Sequence, residues 1–138
     1  MTGLTFGDFT GGRVFELGTV TADRDEMLDY ARRFDPQPIH LAERPTASGL
    51  FTASLWLRAW VSGVVNDTPA LRTGGANSFS WPAPVYPGDA LAARAGVLGA
   101  RRSRDDPSLG VADILATLNR GDECVFRGQL TVLLREPT

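Results

Sequence analysis

Residues 48–65, which read SGLFTASLWLRAWVSGVV, decide the fold of this chain. Arg58 is the only charged residue in this stretch, and large apolar side chains would face every direction if the stretch were helical. Neighbours bury a helix that is apolar almost all round, so we predict a buried central helix over residues 49–65. The stretch is near the lower length limit for a membrane span, and a core helix fits a chain of balanced charge better.

The second half of the chain predicts strands that pack against this helix. Runs of aliphatic residues are separated by turn signals, of which VYPGD at residues 85–89 is the clearest. The predicted strands are residues 76–81, 91–102, 109–118 and 123–135. One long helix with several long antiparallel strands indicates an α+β fold, in which a curved sheet wraps the helix. Because such a sheet covers the helix incompletely, we expect two subunits to pair.

The first half of the chain predicts a short strand, a helix and a rigid loop. Residues 13–21 suit a strand, and Thr21 or Asp23 can cap the helix that follows. This helix must stop at Asp35, because Pro36 disfavours the α conformation for the residue before it. The segment DPQPIH at residues 35–40 holds two prolines, so we predict a stiff, non-helical loop, with one possible helical turn over residues 41–45.

Asp35 and His40 are the candidate catalytic residues. His40 is the chain's only histidine, and it follows Asp35 by five positions in the proline-rich segment. Addition of water to a double bond needs one group that accepts a proton from water and another that delivers a proton to carbon, and Asp and His suit both tasks. Two prolines reduce the entropy cost of holding the two side chains in alignment.

The start of the central helix, Ser48-Gly49-Leu50, is the candidate substrate-binding segment. Glycine lets a substrate carbonyl approach the backbone closely, and the free N–H groups of a first helical turn can stabilise an enolate oxygen. Structural roles stay open for all these residues. Asp35 and His40 also suit capping positions, and the aromatic residues Trp56 and Trp60 suit a plain core as well as a pocket wall.

Composition excludes several classes of function. The chain has 138 residues, which predicts one domain spanning residues 1–138. Fourteen basic and sixteen acidic residues give a net charge of −2, so no nucleic-acid or anionic membrane partner is expected. The single cysteine, Cys124, rules out an intrachain disulfide and a cysteine-based zinc site. Since no signal peptide is visible, we expect a cytoplasmic protein.

Three segments resemble one known family. The run FDPQPIHL at residues 34–41 closely resembles the signature of the MaoC-like dehydratases and (R)-specific enoyl-CoA hydratases. Residues 49–55, GLFTASL, resemble the start of that family's central helix. Residues 84–91, PVYPGDAL, resemble its "PVxPGDxL" segment, which related hot-dog proteins share. The three segments occur in the family's order, and the resemblance covers roughly residues 13–135.

The resemblance implies a hot-dog fold, a homodimer or dimer of dimers, and an acyl thioester substrate carried by coenzyme A or an acyl-carrier protein. It implies that Asp35 is the principal base toward water, and that His40 holds the water and shares in proton transfer. Gly49 would place its N–H on the thioester oxygen, with Ser48 and Ser54 beside the substrate. No metal or redox cofactor is implied.

The chain departs from the family pattern in two places, and two other functions stay open. Some members have Asn where this chain has Gln37, and the stretch between His40 and Gly49 is shorter than in many members. The short stretch leaves open a silent subunit that binds acyl-CoA and pairs with a hydratase. A hot-dog thioesterase is the other alternative, although such enzymes generally carry an acid on the central helix and residues 49–65 have none.

Overall fold

The computed structural model describes residues 3–135 of the chain. Within this part, the elements follow the order β1 (Val14–Thr21), α1 (Arg24–Phe34), α2 (Pro38–Leu41), α3 (Gly49–Gly63), β2 (Leu71–Ser80), β3 (Ala90–Arg102), β4 (Leu109–Arg120) and β5 (Glu123–Arg135). Short 3-10 helices lie at Phe6–Asp8 and Val65–Asp67.

The strands form one antiparallel sheet in the order β1-β3-β4-β5-β2. The three long strands β3, β4 and β5 form its centre, whereas β1 and β2 lie at its edges. The sheet and α3 together form the α+β hot-dog fold that the sequence predicts, and this prediction is confirmed.

The core lies between α3 and the concave face of the sheet. Trp60 is fully buried and stacks on Trp56, whose indole Nε1 donates a hydrogen bond to the Arg94 carbonyl at 2.8 Å. Many inward positions of β3 and β4 are alanines, which leave room for the two indoles. These alanines are Ala93, Ala95, Ala112 and Ala116. Both indoles therefore belong to the core, and that of Trp56 also lines an apolar cavity.

Helix α1 places the rigid segment beside the start of α3. The Asp23 side chain caps α1 by accepting a hydrogen bond from the Glu26 N–H at 2.9 Å. The helix ends at Phe34, immediately before Asp35 and Pro36, as predicted. On its inner face Tyr30 contacts Phe51 of α3, with ring centroids 5.7 Å apart. This contact holds the C-terminal end of α1 next to the N-terminal end of α3.

Several predicted boundaries were wrong, including the end of β4, which runs to Arg120 rather than residue 118. The helical turn predicted at residues 41–45 lies instead at α2, inside the segment that we expected to be non-helical. Pro38 occupies the first helical position, where its fixed φ favours a helix and its missing N–H costs nothing. Helix α3 ends at Gly63 rather than Val65, and β2 begins at Leu71 rather than at residue 76.

Candidate active site

The segment between α1 and α2 brings Asp35 and His40 together. Asp35 leaves the helix with φ −152° and ψ 67°, which turns the chain at the end of α1. The Asp35 carbonyl then accepts a hydrogen bond from the Gln37 N–H, and the Gln37 carbonyl accepts one from the His40 N–H at 3.0 Å. The turn of α2 therefore points His40 back toward the residue that ended α1.

The carboxylate and the imidazole are in direct contact. His40 Nε2 lies 3.3 Å from Asp35 Oδ2. The His40 side chain is 8% exposed, whereas that of Asp35 is 27% exposed, so the pair is buried on one side and open to solvent on the other. Two atoms at this distance can both make a hydrogen bond to a single water placed beside them. This arrangement allows both groups to exchange protons with one water.

Two further side chains hold the Asp35 carboxylate. Gln37 Nε2 donates a hydrogen bond to Oδ1 at 2.6 Å, and Ser48 Oγ donates one to Oδ2 at 2.7 Å. The hydrogen bond from Gln37, then that from Ser48, and then the charge of His40 lower the pKa of Asp35 below its ordinary value, against an opposing effect of burial. Asp35 is therefore ionised at neutral pH and able to accept a proton.

The other nitrogen of His40 is held by the backbone. His40 Nδ1 lies 2.7 Å from the carbonyl oxygen of Thr46. A carbonyl can only accept, so Nδ1 must carry a proton, and Nε2 is the nitrogen that exchanges protons. The Thr46 N–H donates in turn to the Ile39 carbonyl at 3.1 Å. The short stretch after His40 is thus the part of the chain that fixes its imidazole.

Trp81 covers Gly49 at the start of α3. Its indole Nε1 donates a hydrogen bond to the Gly49 carbonyl at 2.8 Å, and its ring lies so close that a Cβ on residue 49 would be 2.7 Å from Cε2. Glycine is therefore needed here for contact with the indole. The Ser48 side chain does not cap α3, so the first-turn N–H groups have neither that acceptor nor an intrahelical one.

Two cavities flank this end of α3. An apolar cavity of about 310 Å³ is lined by residues of α3, β2 and β5 that include Leu50, Ser54, Leu57, Phe79 and Phe126. A second cavity, of about 390 Å³, is lined by residues that include Gly49, Trp81 and Pro84. Neither lining contains Asp35 or His40. The first cavity starts at the residue next to Gly49 and runs along α3.

The structure brings together Asp35, His40 and Ser48 from the predicted site and places Ser54 apart. Gly49 adjoins the cluster through the backbone, whereas the Ser54 hydroxyl donates to the Leu50 carbonyl at 2.8 Å and lies at the apolar cavity. Sequence reasoning missed the Thr46 carbonyl and Trp81. No residue type marks a backbone acceptor in a sequence, and a lone tryptophan after a strand carries no signal of its contact.

Among residues 3–135, no three His, Cys, Asp or Glu side chains are grouped as a metal ion would require. No helix in the same part of the chain is both long enough and apolar enough to cross a bilayer. The absence of a cofactor stays a prediction.

Comparisons with known proteins agree with the fold. A family model described as "MaoC like domain" matches residues 9–119. The chain is 28% identical to the uncharacterized protein YdeM of Bacillus subtilis, with 93% of this chain and 96% of YdeM covered. It is similar to the crystal structure of the MaoC-like dehydratase from Rhodospirillum rubrum, with a TM-score of 0.89, 28% identity and coverage of 99% and 100%. The (R)-hydratase from A. caviae, at 24% identity, a TM-score of 0.69 and coverage of 90% and 96%, shares the fold.

Proposed function

This chain belongs to the family of MaoC-like domains, and we propose that it is a hydratase that adds water to the double bond of a 2-enoyl thioester, giving a 3-hydroxyacyl thioester. The observation that carries the proposal is the 3.3 Å contact between His40 Nε2 and Asp35 Oδ2, at a point where the Asp35 side chain is 27% exposed. The reverse reaction, loss of water, uses the same groups.

The proposed reaction moves two protons. Asp35 removes a proton from water while the water oxygen bonds to carbon 3, and the electrons of the double bond shift toward the thioester oxygen as an enolate forms. His40, protonated on both nitrogens, delivers the Nε2 proton to carbon 2 as the enolate electrons return. The proton held by Asp35 then passes to Nε2 across the 3.3 Å contact, which restores both groups.

The first turn of α3 is the proposed binding site for the enolate oxygen. Its N–H groups, that of Gly49 first, have no intrahelical acceptor, and the helix dipole favours negative charge there. Hydrogen-bond donors aimed at a developing oxyanion are commonly the largest single contribution to such reactions. Ser48, at the same end of the helix, contacts the base through its hydroxyl, at 2.7 Å from Asp35 Oδ2.

The apolar cavity supports an apolar acyl group as the substrate's tail. It begins at Leu50, one residue after Gly49, and aromatic and aliphatic side chains with the single hydroxyl of Ser54 dominate its wall near α3. Burial of methylene groups in such a cavity favours binding by about 0.8 kcal/mol for each group. An acyl chain with a terminal carboxylate would lose its hydration there without gaining a partner charge. The carrier is proposed to be coenzyme A or an acyl-carrier protein.

A homodimer is the proposed assembly. Helix α3 leaves Leu50 55% exposed and Leu57 45% exposed. The edge strand β2 has nearly all its residues exposed. Pairing of two copies would cover both features. The cytoplasmic location also stays a prediction, supported by the single cysteine.

Turnover of crotonyl-CoA tests the proposal. The wild-type protein should remove the absorbance of the conjugated thioester, and Asp35→Asn should lower kcat by about 10²–10⁴-fold, the usual contribution of a positioned acid or base. Asp29→Asn is the matched control, because Asp29 is an exposed carboxylate on α1 that pairs only weakly with Arg33 at 3.7 Å.

Each other result of this assay contradicts the proposal in a distinct way. Unchanged activity in Asp35→Asn would show that Asp35 is not the base. Release of free thiol with the double bond intact would indicate a thioesterase. Binding of acyl-CoA without turnover at any chain length would indicate a silent subunit. The hydrogen bond from His40 to Thr46 argues against that last alternative, since the short stretch still holds the imidazole beside Asp35.

A further inference from the structure

Ser48 occupies the N-cap position of α3 without acting as a cap. Serine at this position usually accepts a hydrogen bond from an N–H group of the first turn. Here the side chain makes no such bond, and its hydroxyl instead donates to Asp35 Oδ2 at 2.7 Å. Ser48 is only 4% exposed, so water cannot readily replace this contact. The conformation gives up a stabilising cap in exchange for a bond to the proposed base.

The bond differs from the other contacts of the same carboxylate. Gln37 donates to Oδ1, but its side chain is exposed and long, so water competes for its amide. His40 must exchange its Nε2 proton during the proposed reaction, so it cannot hold Oδ2 throughout. The Ser48 hydroxyl has no such task, and it comes from the rigid start of α3. Among the described partners of Asp35, Ser48 combines burial and a 2.7 Å hydrogen bond with a hydroxyl that does not change its protonation during the proposed reaction.

The two carboxylate oxygens are consequently unequal. Oδ2 accepts a hydrogen bond from Ser48 and lies 3.3 Å from His40 Nε2, whereas Oδ1 accepts a hydrogen bond from Gln37. A carboxylate fixed in this way keeps one orientation toward the water that it is proposed to share with His40 Nε2. A rotation of the carboxylate away from this orientation would break the bond to Ser48.

We propose that Ser48 is a positioning residue, which fixes the rotation of the Asp35 carboxylate so that one defined oxygen takes the proton from water. The inference rests on the proposed hydratase function. It gives the Ser48 hydroxyl a role toward the base instead of the substrate.

Replacement of Ser48 by alanine tests this role. Ser48→Ala should lower kcat for crotonyl-CoA by about 10- to 100-fold with little change in KM, because a misplaced base affects the chemical step more than binding. Loss of a donor to the charged form should also move the acid limb of the pH profile of kcat upward. Ser48→Thr, which keeps the hydroxyl, should restore most of kcat and the position of the acid limb.

Thr68→Val is the matched control. The Thr68 hydroxyl is also buried and also donates to one oxygen, that of the Val64 carbonyl at 2.6 Å, but it lies at the other end of α3. Loss of this hydroxyl should reduce stability without moving the pH profile. If Ser48→Ala does not fold, Ser48→Cys, whose thiol is a weak donor, should show an intermediate effect.

The outcomes separate the inference from the proposed function. If the wild type hydrates crotonyl-CoA and Ser48→Ala behaves like Thr68→Val, the positioning role is overturned. If the wild type does not hydrate it at all, the proposed function fails. Titration of the Asp35 carboxyl, followed by ¹³C NMR, then tests the contact between Ser48 and Asp35 without an activity assay. A higher pKa of Asp35 in Ser48→Ala than in wild type would then support the Ser48 contact, and an equal pKa would overturn it.

Discussion

Replacement of Gly49 by alanine probes the closest packing at the proposed site. The added Cβ would lie 2.7 Å from Cε2 of Trp81 and 3.0 Å from two other atoms of the same ring. Contacts this short force the indole to move. Trp81 is 41% exposed, so it can swing toward solvent, but it then loses its 2.8 Å hydrogen bond to the Gly49 carbonyl.

The expected cost follows from these contacts. Overpacking costs about 1–3 kcal/mol, and the lost hydrogen bond about 1 kcal/mol. Alanine in a helix recovers at most about 1 kcal/mol relative to glycine. We therefore expect Gly49→Ala to lower the free energy of unfolding of the wild type by about 1–3 kcal/mol. In a Trp81→Ala background the ring is absent, so the same substitution should be neutral or stabilising by up to about 1 kcal/mol.

The double-mutant cycle is measured by urea denaturation of the four proteins. Protomer concentration must be equal in every experiment, because pairing of subunits would make stability depend on it. The effect of Gly49→Ala should differ between the two backgrounds by about 2–4 kcal/mol. An equal cost in both would refute the reasoning, since it would show that the indole is not what excludes a side chain at position 49.

Three further expectations concern other parts of the molecule. Gly128→Ala would place a Cβ 2.6 Å from the ring of Phe79, which lines the apolar cavity. Because the ring must then move, the ratio of kcat/KM between long and short enoyl-CoA substrates should change. A constant ratio would exclude that cavity as the acyl site. Asp106 has a lowered pKa, caused first by the hydrogen bond from the Ser108 hydroxyl and then by that from Arg135. The ionised carboxylate therefore stabilises the fold at pH values above the ordinary pKa of aspartate, and this stabilisation is lost as the pH falls through the lowered pKa. Thermal unfolding of Asp106→Asn should therefore approach that of wild type in acid, and a deficit that persists would contradict the assignment. His40 is the chain's only histidine, so its ¹⁵N spectrum is directly assignable and should show a proton on Nδ1 in the neutral form; a neutral ring protonated on Nε2 would disprove the bond to the backbone.

Most of the fold was predictable because burial leaves a pattern in the sequence. Helix α3 is apolar on nearly every side, and β3, β4 and β5 alternate buried with more exposed residues. The first half of β2 was missed for the opposite reason. It belongs to an exposed edge strand in which buried and exposed residues do not alternate, and residues such as Arg72 and Gly74 give no strand signal.

The site was predictable only as far as neighbouring residues define it. Asp35 and His40 are five positions apart, and the prolines between them restrict how they can be arranged. The bond from Ser48 to Asp35 spans thirteen positions, and it depends on the contact between α1 and α3, which a single sequence does not specify. The turn of α2 was missed because we weighed proline as a helix breaker, although at the first position it starts one.

The acceptor that selects the proton-bearing nitrogen of His40 belongs to the main chain, and this affects how the protein tolerates change. Any amino acid at position 46 brings a carbonyl with it, so point substitutions can accumulate there while the catalytic tautomer is kept. An inserted or deleted residue between positions 40 and 46, in contrast, moves that oxygen away from the ring. Selection on this segment should therefore act on its length more strongly than on the identity of its amino acids.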